Sequence, residues 1–136
     1  MSFYFQDKSW VELKGYIARG AVVLLPVGTV EEHGEHMATG ADAMIAEDTS
    51  RTIAQRWEKE AGDPPMLVMP TWWAGYSMEI MKAWPGTISV RPEVLLAALT
   101  DVVTSLAQMG FYRIVVSNNH GHHDGIMRQL VRDVAD

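Results

Sequence analysis

AVVLLPV, residues 21–27, is an unbroken aliphatic and β-branched run closed by Gly28. Such a run suits a strand buried on both faces, because a half-exposed strand would alternate apolar with polar residues. Pro26 lacks the N–H of a ladder bond, which weakens the last residues of the run as central strand. FYRIVV at 111–116 has the same character, and MLVM at 66–69, bounded by prolines, reads as a shorter buried strand. ISV at 88–90, just after the Pro85–Gly86 turn, reads as a further one.

Between these runs the apolar spacing lengthens to that of helices. Ser9 and Glu12 form a capping-box pair, with Val11, Leu13 and Ile17 as an apolar face up to Gly20. Residues 42–61 carry Ile45, Ile53 and Trp57 at multiples of four, before Gly62 and the Pro64–Pro65 stop. Pro92 occupies a first-turn position, and Leu95, Leu99, Val102, Val103 and Leu106 repeat at three and four until Gly110. A last helix follows the polar turn after residue 116, on Ile126, Met127, Leu130 and Val134. Residues 71–84, TWWAGYSMEIMKAW, read as a long aromatic-rich loop. Parallel neighbours need long crossovers, so strands alternating with helices predict an α/β fold. The expected architecture is a three-layer α/β/α sandwich with a mainly parallel sheet. It forms one domain over residues 1–136. The last helix reaches Asp136 while its apolar face is still repeating, which reads as a chain cut or split there.

Of the 136 residues, 48% are hydrophobic and 21% charged, the balance of one ordinary globular domain. A formal net charge of -6 supplies no positive field for nucleic acid or anionic lipid, and neither partner is expected. With no bilayer-length apolar run and no signal-like N-terminus, the expected location is cytoplasmic, away from membranes. Cysteine is absent, so thiolate sites are excluded and any metal must be held by imidazole and carboxylate.

Histidine and carboxylate gather in two places. Glu31, Glu32, His33, Glu35 and His36, followed by Asp42, come after the first strand; Asn118, Asn119, His120, His122, His123 and Asp124 come after the strand at 111–116. Ligand crevices of open α/β sheets lie beyond the carboxyl ends of the strands, so both clusters are directed to one edge. The mixture suits Zn²⁺, Mn²⁺ or Fe²⁺. The spacing of His33 and His36, with Gly34 between them, does not match a helical HExxH site. On spacing alone the first cluster equally suits a solvated acidic loop, and the second equally suits a helix capped by Asn119 or Asp124.

Three stretches resemble the creatininase family: PVGTVEEHGEHMATGADAMIAEDTSR at 26–51, GYSMEIMKAWPGTISV at 75–90 and NNHGHHDG at 118–125. The resemblance implies a creatininase-like fold with a binuclear centre of two divalent ions. Carried over by position, Glu31 and His120 bind one ion, His33 binds the other, and Asp42 bridges them. His122 stands where creatininase has a glutamate ligand, a chemically suitable departure. Ser77 matches a serine lining the substrate pocket, and Glu35 and His36 match a supporting part of the motif. Family members continue for about as many residues again and carry there a His and Glu motif with the proton-transferring histidine, which this sequence does not include.

The expected function is metal-dependent hydrolysis of a C–N bond in a small amide, cyclic amide or formamide. Neither His123 nor Glu79 is identified by its spacing as the general acid. The rival is a half-site or non-catalytic metal-binding subunit, or a fragment, whose second half comes from a partner chain in a homo- or hetero-oligomer. Trp72, Trp73 and Trp84 fit a pocket wall, core packing or a subunit contact.

Overall fold

The computed structural model describes residues 2–135. Its sheet has three parallel strands in the order β2-β1-β3: β1 (Val22–Val27) in the centre, β2 (Met66–Val68) on one side and β3 (Arg113–Asn118) on the other. Every residue of β1 is buried, as its uninterrupted apolar run predicts. Four α-helices accompany the sheet: α1 (Trp10–Ala18), α2 (Ala41–Glu60), α3 (Pro92–Met109) and α4 (Asp124–Ala135).

Alternate residues of β1 serve opposite layers. Leu25 and Val27 pack with Leu95, Leu99 and Val103 of α3 and Leu130 of α4; Leu24 packs with Ala54 of α2 and Val68 of β2. Helices thus cover both faces, giving the three layers. The expected capping box at Ser9 is complete: its side chain accepts from the Glu12 N–H and its own N–H donates to the Glu12 carboxylate. Pro92 starts α3, and Gly110 ends it at φ 106°, a left-handed angle that favours glycine.

Four readings of the sequence are corrected. Ile88–Val90 is not a strand; Ile88 makes only an isolated antiparallel bridge to Val30. Helix α2 lies where expected but turns a different face to the sheet. Ile45 and Ile53 are exposed, while Ala46, Ser50 and Ala54 are buried. Small side chains four apart let the helix axis come close to β1, and closeness outweighs the larger apolar area of isoleucine. In α1, Val11 is exposed, while Leu13, Tyr16 and Ile17 pack inward. Pro26 does not weaken β1, which continues through Val27 at the centre of the sheet. Its carbonyl accepts from Trp72 N–H, so its missing N–H faces the side on which β2 has already ended at Val68. The expected end of α4 at Asp136 lies outside the described residues.

Gly28 fixes how α2 approaches. A Cβ there would lie 2.6 Å from Ala43 Cα and 2.7 Å from its nitrogen. These are backbone atoms at the start of α2 and cannot swing aside. Replacing Gly28 with alanine should therefore displace the first turn of α2 and cost ~1–3 kcal/mol, the usual range for overpacking. Urea denaturation checks this, with a lowered midpoint expected; an unchanged midpoint would remove the close-contact argument.

Candidate metal centre

The two histidine clusters converge. β1 leads into a loop carrying Glu31 and His33, the adjacent β3 leads into the turn carrying His120 and His122, and the first turn of α2 brings Asp42 beside both. Asp42 lies between two imidazoles: Oδ1 is 3.1 Å from His33 Nε2, and Oδ2 is 2.6 Å from His120 Nδ1. A carbonyl can only accept, so His33 Nδ1 donates its proton to the Glu31 carbonyl at 2.9 Å. That bond leaves Nε2 of neutral His33 without a proton and facing the carboxylate. The Glu31 carbonyl is the main cause that raises the His33 pKa above its ordinary value; partial burial opposes it, and the Asp42 and Glu31 charges reinforce it.

A second group consists of Glu31, His120 and His122. Glu31 Oε2 is 3.4 Å from His122 Nδ1 and 3.7 Å from His120 Nε2. Both Glu31 Oε2 and His122 Nδ1 are buried without a hydrogen-bond partner. Two orphaned polar atoms turned toward each other carry a desolvation cost that a shared cation would relieve. Tetrahedral ligands at ~2.0–2.1 Å from an ion stand about 3.3 Å apart, so the donor set fits a divalent metal. His120 Nε2 also meets the Tyr76 carbonyl at 3.0 Å. A ligating nitrogen carries no proton, so an ion would replace the proton in one of the two His120 contacts while the other orients the ring.

The remaining expectations divide. Ser77 is fully buried, with its hydroxyl unpartnered and its N–H donated to Ser89 Oγ at 3.0 Å. Glu35 and His36 are exposed, and no side-chain hydrogen bond joins them to the cluster among the described residues. Glu32 lies aside, accepting from Gly34 N–H at 2.8 Å. Neither Asn119 nor Asp124 caps a helix; Asn119 donates to the Ser117 carbonyl, and Asp124 pairs with Arg128. Trp72 is half-buried and donates to the Ala74 carbonyl, whereas Trp73 and Trp84 are exposed. Spacing did not reveal His123, which is fully buried and touches the loop at Gly75. Burial, then the neighbouring His120 charge, lowers its pKa to about 4. No described helix is long and apolar enough to cross a membrane.

Fold and site together define an α/β protein with imidazole and carboxylate donors gathered at the carboxyl ends of adjacent parallel strands. The Creatininase family profile, described as creatinine amidohydrolase, matches residues 6–136, and the chain belongs to that family. It is 30% identical over 124 residues to the creatinine amidohydrolase of Pseudomonas putida, an alignment covering 88% of this chain and 45% of that protein. It is 32% identical over 114 residues to the mycofactocin precursor peptide peptidase of Mycobacterium ulcerans, covering 82% and 45%. A solved structure titled creatininase Mn superposes with a TM-score of 0.88 at 26% identity, over 99% of this chain and 52% of that one. The chain thus spans about half the length of these relatives.

Asp42 and Glu32 separate ligation from mere acidity. Elemental mass spectrometry on purified variants should show Asp42→Ala losing at least one ion per chain and Glu32→Ala keeping its full complement. Equal loss in both would overturn the assignment.

Proposed function

We propose that this chain provides the metal-binding portion of a hydrolase that cleaves a C–N bond in a small amide, cyclic amide or formamide. The observation that carries the reading is the facing pair of orphaned buried atoms, Glu31 Oε2 and His122 Nδ1, beside His120. In this reading Glu31, His120 and His122 hold one divalent ion, His33 holds a second, and Asp42 is the carboxylate shared between them. Zn²⁺, Mn²⁺ and Fe²⁺ all suit such a nitrogen and oxygen donor set. When bound, such ions polarise a substrate carbonyl and lower the pKa of water to about 7, making hydroxide available near neutrality.

The protein's own groups hold and orient. The Glu31 carbonyl fixes the His33 ring, and Ser89 grips both the N–H and the carbonyl of Ser77. Ser77 would then present its unpartnered hydroxyl to substrate.

A second reading, completion of the site by further polypeptide, is favoured by the sheet edge. β3 has no strand on its outer side among the described residues, and Val115 is 48% exposed. Beside it, Ile114, Val116, Met127 and Val131 line a groove of about 820 Å³. An unpaired apolar strand edge suits one more strand, whether from the same protein or a partner in an oligomer.

Metal analysis of the purified protein, beside hydrolysis of cyclic and linear amides before and after chelation, tests the first reading. Near two ions per chain, with hydrolysis lost on chelation and restored by Mn²⁺ or Zn²⁺, is expected. Absence of bound metal from protein grown and purified with both ions would reject it. Native mass distinguishes the second reading: co-purification with a polypeptide needed for turnover supports it, and a fully active monomer of this chain rejects it.

A further inference from the structure

His123 adjoins the candidate ligand His122, yet its bonds run to Tyr76 and to Asn118. The Tyr76 backbone N–H donates to His123 Nε2 at 2.9 Å. A backbone N–H can only donate, so Nε2 must carry the lone pair and the imidazole proton must sit on Nδ1. Asn118 Oδ1, 3.2 Å from Nδ1, accepts that proton. The amide of Asn118 is oriented in turn: its Oδ1 accepts from the His120 N–H at 3.3 Å, and its Nδ2 donates to the His120 carbonyl at 2.9 Å. One tautomer of His123 satisfies every partner; the other leaves Tyr76 N–H facing a second proton.

The chain continues through residue Tyr76, whose carbonyl, in the next peptide group, meets His120 Nε2 at 3.0 Å. The adjoining Ser77 is held by Ser89. The ring of His123 also lies flush against the loop. A Cβ at Gly75 would fall 2.5 Å from His123 Nε2, so the loop closes on the ring only because residue 75 has no side chain.

We infer that His123 is a positioning residue, a neutral imidazole latched to Tyr76 N–H that sets the peptide contacting His120 and the placement of Ser77. The inference deepens the metal-hydrolase reading and rests on it for its effect on metal, but the latch itself is readable without any ion. Among the described residues, His123 hydrogen-bonds to none of Glu31, His33, Asp42 and His122. It acts through Tyr76.

The test uses wild type, His123→Leu and His123→Gln. Leucine fills the cavity without an acceptor, whereas glutamine can offer its amide oxygen to Tyr76 N–H. In wild type, ¹⁵N NMR should show the Nδ1–H tautomer and a scalar coupling across the bond from Tyr76 nitrogen to His123 Nε2. Amide exchange at Tyr76 should quicken at least ~10-fold in His123→Leu and return to within ~3-fold of wild type in His123→Gln. Zn²⁺ affinity by chelator competition should follow the same order, falling roughly 10-fold in the leucine variant and recovering with glutamine. An Nε2–H tautomer in wild type would overturn the inference even if both variants failed to fold. So would a glutamine variant that tracks leucine, which marks plain packing. Wild type that binds no Zn²⁺ but shows the coupling would keep the latch and reject the metal centre instead.

Discussion

Contact between two backbones organises this molecule. Gly28 leaves β1 without a side chain, and the first turn of α2 comes down onto it at Ala43 and Asp42. The small face of Ala46, Ser50 and Ala54 continues the approach along the helix. Because Asp42 lies in that first turn, the same contact that seats the helix also delivers a carboxylate between His33 and His120. Packing and site geometry are here one constraint. A bulkier helix face would bury more apolar area but would hold Asp42 away from both rings.

Around Asp42 the polar groups form a connected set, in which each ring is oriented from its far side. His33 is tied to the Glu31 carbonyl, and His120 to the Tyr76 carbonyl. Backbone carbonyls suit this work, since they accept without changing charge. The unsatisfied atoms collect at Glu31 and His122, beside His120. Oriented rings beside unpaired buried atoms are what pre-organised ligation requires.

Much of the architecture was legible in the sequence because strong local signals agreed with one another: the aliphatic run at 21–27, the capping box at Ser9 and the Pro92-to-Gly110 helix. Convergence of the two histidine clusters followed from parallel-sheet topology. Hydrophobicity could not reveal the face of α2, because the helix is selected for closeness and alanine reads as weakly apolar wherever it stands. Nor could it place Ile88, whose single bridge to Val30 depends on how the loop folds back. His123 lies in a run of polar residues, and only its non-local bond to Tyr76 tells it apart from His122. Glu35 and His36 belong to the motif in sequence but stay exposed in the fold.

The loop between β2 and α3 is anchored by main-chain bonds, Gly28 to Trp72, Ile88 to Val30 and Val90 to Gly75, and by the side chains of His123 and Ser89 at Tyr76 and Ser77. Main-chain bonds carry little information about side chains. Its outer turn, from Met78 to Pro85, is largely exposed and contributes nothing to the buried core clusters. Variation there is nearly free of penalty to folding, while the anchors keep Tyr76 and Ser77 in register with the strand ends. A scaffold so divided can vary along that turn without disturbing the strand ends, and lineages built on it would diversify there first.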